Sequence, residues 1–329
     1  MNEVESFDSP LRVLIQAESM QKIVILCGPT AVGKSALALE FAEKLNGEII
    51  SADSQQVWRE LDIGTAKPSP AERKQVPHYL IDVASPDETF DVSRYAALAD
   101  TAIAAITARG RLPIVVGGAG MYIRVLLYGL CEAPPQDLAL RRQFAVRLEK
   151  EGLPALYEEL KKIDPAAAQK IHPNDKTRTL RALEVHKITG KPISELQQAH
   201  AFRHPRYEAL QIGLNCDRAL LHEKISQRTD WMIANGWSEE VRELLKFYSP
   251  DSQALQSIGY RQLVAYLQGH IPLEEAVQKI KQQTLSLARR QLTWFRADPK
   301  IHWMDAANKN EIAILALKAI EEHLYAKNS

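Results

Sequence analysis

Apolar positions along the chain change period several times, and each change marks a structural boundary. Five short runs are mostly apolar at successive rather than alternate positions: 23–27, 48–53, 78–83, 112–117 and 209–214. A strand covered by helices on both faces has this continuous pattern, so each is expected to lie inside a parallel sheet. Between these runs the apolar spacing moves to three and four residues, which predicts helices over about 35–45, 91–109, 121–128 and 217–234. Asn46-Gly47 ends the first of these, and Asp217 caps the last. Later helices are expected over 237–247, after Arg261, and from Pro272 to Arg296, with an edge strand over 300–304 and a closing helix. The stretch from Trp58 to Pro68 follows neither period and reads as an ordered loop. Strands alternating with helices give an α/β fold.

The alternation stops near Gly129. Pro134-Pro135 breaks the chain, and 136–200 reads as successive amphipathic helices without a strand. The expected organisation is an N-terminal extension over 1–21, a discontinuous α/β core over 22–128 and 205–329, and an all-helical insertion over 129–204.

Composition narrows the function classes. The 329 residues are 46% apolar and 25% charged, with 41 basic and 41 acidic side chains. At zero net charge, a nucleic-acid surface has to come from local clustering. Two clusters exist. From Lys176 to Lys191 five Lys and Arg stand against one Glu, with Arg178 and Arg181 one helical turn apart, although a solvated helix face has the same composition. From Arg289 to Arg296 bases mix with Trp294 and Phe295, a pattern suited to phosphates and base stacking, although such aromatics also belong in cores. Cys27, Cys131 and Cys216 are widely spaced and odd in number, which argues against a disulfide framework and a zinc site. His200 and His204 have metal-like spacing but no companion ligand, and read as surface histidines. No apolar run spans a bilayer, and the first twenty residues lack a signal-peptide pattern, so a cytoplasmic protein without a membrane partner is expected.

The chemistry begins at the first strand. Residues 22–27 run into Gly28, Pro29, Thr30, Ala31, Val32, Gly33, Lys34 and Ser35, and then into an amphipathic helix. This is a G-x-x-x-x-G-K-[ST] phosphate loop in the strand–loop–helix setting it needs. Unpaired N–H groups and the helix dipole form an anion trap, to which Lys34 adds a full charge. The Ser35 hydroxyl is placed to reach a phosphate oxygen or Mg²⁺. Parallel strands deliver ligand-facing groups at their carboxyl ends, so Asp53 is expected beside the loop. Asp53 and Asp82, each ending an apolar run, both suit a metal-facing acid. Gly117-Gly118-Ala119-Gly120 permits close backbone approach to a ligand or makes a tight turn.

Several stretches in order resemble the tRNA dimethylallyltransferases (tRNA isopentenyltransferases): the phosphate loop, S-A-D-S-Q at 51–55, D-I-G-T-A-K-P at 62–68, V-G-G at 116–118, H-P-N-D at 172–175, R-A-L-E at 181–184, I-G-Y-R at 258–261 and R-Q-L-T-W at 290–294. The resemblance runs from about Lys22 past Trp303. It implies a P-loop NTPase-like parallel sheet and a reaction. The dimethylallyl group of dimethylallyl diphosphate passes to N6 of adenine at tRNA position 37, beside the anticodon, and diphosphate is released. Many prenyl-transferring enzymes hold diphosphate through Mg²⁺ on D-D-x-x-D runs; this chain has no D-D pair, which leaves that task to the phosphate loop. By resemblance Gly28 to Ser35 bind diphosphate with Mg²⁺ on Ser35, Arg228 also contacts the diphosphate, and Asp53 is the general base. The resemblance further implies tRNA contacts at Asp53, Ser54, Gln55, Gln56 and Ala119; at Thr177, Arg178, Thr179, Leu180 and Arg181; at Gln256, Ser257, Ile258, Gly259, Tyr260 and Arg261; and at Arg289, Arg290, Gln291, Leu292, Thr293, Trp294, Phe295 and Arg296. Ala119 stands where the family usually has Thr or Ser, and Trp58 and Glu60 replace a usual Tyr and Gly. No zinc-finger pattern extends the sequence, so a bacterial-type member is expected, and the fold reading gives no reason to need more than a monomer. A small-molecule kinase, a prenyltransferase acting on free AMP and a nucleotide-sensing RNA binder share the loop. The kinase is told apart by γ-phosphate transfer, the second by its acceptor, and the third by the lack of any product.

Overall fold

The computed structural model describes residues 20–131 and 133–325. Of the expected N-terminal extension only Met20 and Gln21 lie within them. In chain order the first half of the core is β1 (Lys22–Cys27), α1 (Lys34–Lys44), β2 (Gly47–Ala52), α2 (Pro70–Gln75), β3 (His78–Tyr79), α3 (Val92–Ala108), β4 (Leu112–Gly117) and α4 (Gly120–Tyr128). The helices α5 (Leu138–Ile163), α6 (Pro165–Lys170), α7 (Lys176–Thr189) and α8 (Ile193–His200) follow. The chain then returns through β5 (Glu208–Asn215), α9 (Arg218–Ala234), α10 (Trp237–Leu244), α11 (Tyr260–Leu267), α12 (Leu273–Arg296), β6 (Ile301–Asp305) and α13 (Lys309–Tyr325).

The strands form one parallel sheet in the order β3-β2-β4-β1-β5-β6. Successive residues of β1 enter different cores: Ile23, Ile25 and Cys27 pack mainly with α3, α4, α10 and α11, and Val24 and Leu26 mainly with α1, α9 and α13. Burial on both faces is the reason the inner strands read as continuous apolar runs. The carboxyl ends are level, with Ala52 paired to Gly117, Gly117 to Cys27, and Cys27 to Gly213. At about 4.8 Å per strand, the residues leaving β2, β4, β1 and β5 emerge within roughly 15 Å.

One expected strand is cut short. The run 78–83 pairs with β2 only at His78 and Tyr79, because Leu80 (φ 62°) and Asp82 (φ 58°) take left-handed conformations. Asp82 is held there by Lys67 Nζ at 2.5 Å and Arg73 Nη1 at 2.6 Å. The late edge strand and closing helix are present as β6 and α13.

The helices between 138 and 200 close on a core of their own, built from Phe144, Leu156, Tyr157, Leu160, Ala182 and Leu183. Helix α5 breaks at Gly152 (φ 77°). Asp175, the last residue of the H-P-N-D run, caps α7 by accepting from Arg178 N at 3.0 Å. Glu184 of the R-A-L-E run is buried. It accepts from Arg181 Nη1 (2.7 Å), Arg141 Nε (3.2 Å) and Asp137 N (2.9 Å). Burial alone would raise its pKa, but these donors hold it below the usual carboxylate range.

Candidate active site

The phosphate loop leaves β1 at the buried Cys27. Gly28 has φ 140°, and a Cβ there would lie 2.5 Å from the Leu214 carbonyl of β5, so glycine is required twice over. Gly33 (φ 109°) opens α1. The Lys34 ammonium donates to the carbonyls of Gly28 (3.0 Å) and Pro29 (2.6 Å). Burial pulls its pKa down to about 8, with Asp53 opposing and Arg228 reinforcing the fall. Arg228, from α9, donates to Thr30 Oγ1 at 2.8 Å. Burial lowers its pKa too, against the pull of Asp53, yet a guanidinium stays charged. Two desolvated cations therefore stand at the loop, where an anion finds little competing water.

Asp53 follows β2, and its Oδ1 accepts from Gln55 N at 2.8 Å, which fixes the carboxylate in a local turn. A cavity of about 490 Å³ is lined by Lys34, Ser35, Asp53 and Arg228, and also by the apolar side chains of Met232, Trp237, Ile258, Ile280 and Leu287. Thr30, Ala31, Gly33, Ser54, Gln55, Gln56, Gly118, Ala119 and Gln291 complete much of the wall. Asp82, the rival metal-facing acid, is not among the lining residues, and its two oxygens are taken by Lys67 and Arg73. Among the described residues no group of three or more His, Cys, Asp or Glu stands ready for a metal. Ser35 and Asp53 on one cavity suit Mg²⁺ held largely by substrate phosphate oxygens, not a protein cage.

The D-I-G-T-A-K-P loop is built from distant parts that the sequence did not announce. Glu240 of α10 accepts from the backbone N–H of Asp62 (2.9 Å), Ile63 (2.6 Å) and Gly64 (3.3 Å), and from Tyr260 OH (2.6 Å). Lys67 donates to Trp58 O (2.6 Å), Asp62 Oδ1 (2.8 Å) and Asp82 Oδ1 (2.5 Å). The Trp237 indole touches both Gly64 and Gly259, where a Cβ would lie 2.0 and 2.1 Å from it. These glycines of two separate motifs thus serve one tryptophan. Gly120 gives Trp294 the same room, and Arg124 stacks on that ring at 4.4 Å.

The expected RNA-facing spans divide by burial. Thr177, Arg178, Gln256, Arg261, Arg289, Arg290, Thr293 and Arg296 are exposed, while Leu180, Ser257, Ile258, Leu292 and Trp294 are half-buried. Thr179, Gly259, Tyr260 and Phe295 are buried, and the side chains of Thr179, Tyr260 and Phe295 pack inside the fold. Arg181 is occupied by Glu184 and the Pro134 carbonyl (2.6 Å).

The family model described as IPP transferase matches residues 56–298. The chain is 49% identical over 292 residues to tRNA dimethylallyltransferase 2 of Syntrophus aciditrophicus, covering 88% of this chain and 94% of that protein. A crystal structure of the full-length tRNA isopentenylpyrophosphate transferase of Bacillus halodurans is similar with a TM-score of 0.69 at 38% identity, covering 92% of this chain and 97% of the other. A eukaryotic dimethylallyltransferase captured acting on tRNA is similar with a TM-score of 0.79 at 27% identity, covering 93% and 80%.

Proposed function

The chain belongs to the IPP transferase family, and we propose that it transfers the dimethylallyl group of dimethylallyl diphosphate to N6 of the adenine at tRNA position 37, releasing diphosphate. The observation that carries the reading is that one cavity is lined by the anion-binding loop, by apolar side chains and by Asp53. A prenyl diphosphate needs the first two, and an attacking amine needs the third.

As the allylic C–O bond breaks, its electron pair leaves on the diphosphate. The loop N–H groups, Lys34 and Arg228 meet that growing charge. The N6 lone pair forms the new N–C bond, and the N6 proton passes to the Asp53 carboxylate. The adenine has to leave its stack to enter the cavity. Mg²⁺, when bound through Ser35 and the phosphates, adds positive charge at the leaving group. A cytoplasmic monomer completes the proposal; the three widely spaced cysteines, Cys27, Cys131 and Cys216, fit a reducing compartment.

The test combines the protein with Mg²⁺, dimethylallyl diphosphate and an unmodified tRNA bearing adenine at position 37, then weighs the nucleosides of the digested RNA. A dimethylallyl mass shift on adenosine, absent with AMP as acceptor, is expected. No shift, with γ-phosphate transferred in a parallel reaction supplied with ATP, would overturn the reading in favour of a kinase.

A further inference from the structure

Gln291 lies in the basic run that the family resemblance gives to RNA, yet its side chain points elsewhere. Its Oε1 accepts from Thr30 N at 2.9 Å, and its Nε2 donates to Gly118 O at 3.0 Å. Thr30 belongs to the phosphate loop and receives Arg228 on its hydroxyl. Gly118 follows β4, where a Cβ on Gly117 would lie 2.0 Å from the carbonyl of Ala52, the residue before Asp53. Ala119 N donates to that same carbonyl at 3.1 Å. A continuous path of contacts therefore runs from the phosphate loop through Gln291 and the 117–119 turn to Asp53.

We propose that Gln291 is a positioning residue for the transfer, locking the phosphate loop to the Gly118 turn and so setting the distance between the departing diphosphate and Asp53. The inference rests on the transfer reading above. The residue type follows from the geometry: the clasp needs one acceptor and one donor on a single planar group, which an amide supplies. Glutamate keeps the acceptor for Thr30 N and loses the donor to Gly118 O. Leucine loses both and leaves two half-buried backbone groups without partners. Gly118 leaves the amide its room, since a Cβ there would lie 2.3 Å from Nε2. Arg289 and Arg290 beside it are exposed and remain available to RNA phosphates.

The experiment compares the full chain with Gln291→Leu, Gln291→Glu and Gly118→Ala, measuring single-turnover transfer at saturating substrates, tRNA affinity, affinity for inorganic diphosphate, and melting. Gln291→Leu is expected to slow transfer about 100-fold, the cost of a misplacement near 1 Å. It should also weaken inorganic diphosphate while leaving tRNA affinity unchanged. Gln291→Glu, close to isosteric, should fall between, which guards against a Leu variant that merely unfolds. Gly118→Ala should slow transfer in the wild-type background and cost less in a Gly118→Ala, Gln291→Ala double variant compared with Gln291→Ala alone, the non-additivity of groups in contact. Loss of tRNA affinity in step with rate would make Gln291 an RNA contact and overturn the proposal. So would an unchanged rate in Gln291→Leu. A wild-type protein that makes no prenylated tRNA would instead remove the transfer reading, and this inference with it.

Discussion

Asp53, the proposed base, is a side chain held in place from two directions. Its position comes from the carboxyl end of β2, and its orientation from the Gln55 amide on Oδ1. The strand end is a backbone feature and survives substitution, while loss of the carboxylate also frees the Gln55 N–H. Asp53→Ala is expected to lower the single-turnover rate by roughly 10²–10⁴-fold, the usual contribution of a general base, with tRNA affinity nearly unchanged. A near-normal rate in rapid-quench measurements would exclude Asp53 as the base. Much of this residue scale was legible in the sequence, because a glycine-bracketed loop and a carboxylate ending a strand are local signals. The choice between Asp53 and Asp82 was not. What favours Asp53 is the engagement of Asp82 by Lys67 and Arg73, which depends on how the 58–68 loop and α2 fold back.

At the scale of elements, the informative unit is the D-I-G-T-A-K-P loop with α10 and α11. The sequence marked it as ordered, but its supports are non-local: Glu240 holds three N–H groups, and Trp237 fills the space between Gly64 and Gly259. Nothing in a period of two or 3.6 residues links such distant positions, so the sandwich was invisible until the chain folded. Gly64→Ala places a methyl against the indole, and overpacking of this kind costs about 1–3 kcal/mol. Chemical denaturation followed by tryptophan fluorescence should show that loss, and Trp237→Phe should relieve part of it; a Gly64→Ala protein as stable as wild type would count against the packing argument. Helix α12 carries the second element-scale prediction. Arg289 and Arg296 are exposed, so replacing both by Gln should flatten the salt dependence of tRNA binding by a log–log slope of about 2 if each holds one phosphate. An unchanged slope would remove them from the interface.

At the scale of the whole molecule, the helical segment 138–200 has its own core, and its charge is organised around Glu184. That carboxylate is buried and joins α7 to the start of α5 through Arg141 and the Asp137 amide, with Arg181 one turn away on α7 itself, so its ionisation is tied to the packing of the segment. Its folded pKa lies below the ordinary value, held down by these donors against the opposing effect of burial. The sign follows from linkage: the unfolded chain binds the proton more readily, so Glu184 contributes stability that is fully present above about pH 4.3, the unfolded value. The contribution fades as pH falls through the folded pKa. Glu184→Gln should therefore destabilise the protein at neutral pH by about 1–3 kcal/mol, the cost of weakening a buried charged hydrogen-bond partner. The gap between variant and wild type should stay constant from pH 6 to 8 and close below about pH 4. Denaturant melts across that range check it. A gap that widens on acidification would mean that Glu184 is protonated in the folded state, and that α5 and α7 are joined by packing of Phe144, Leu156 and Leu183 rather than by charge.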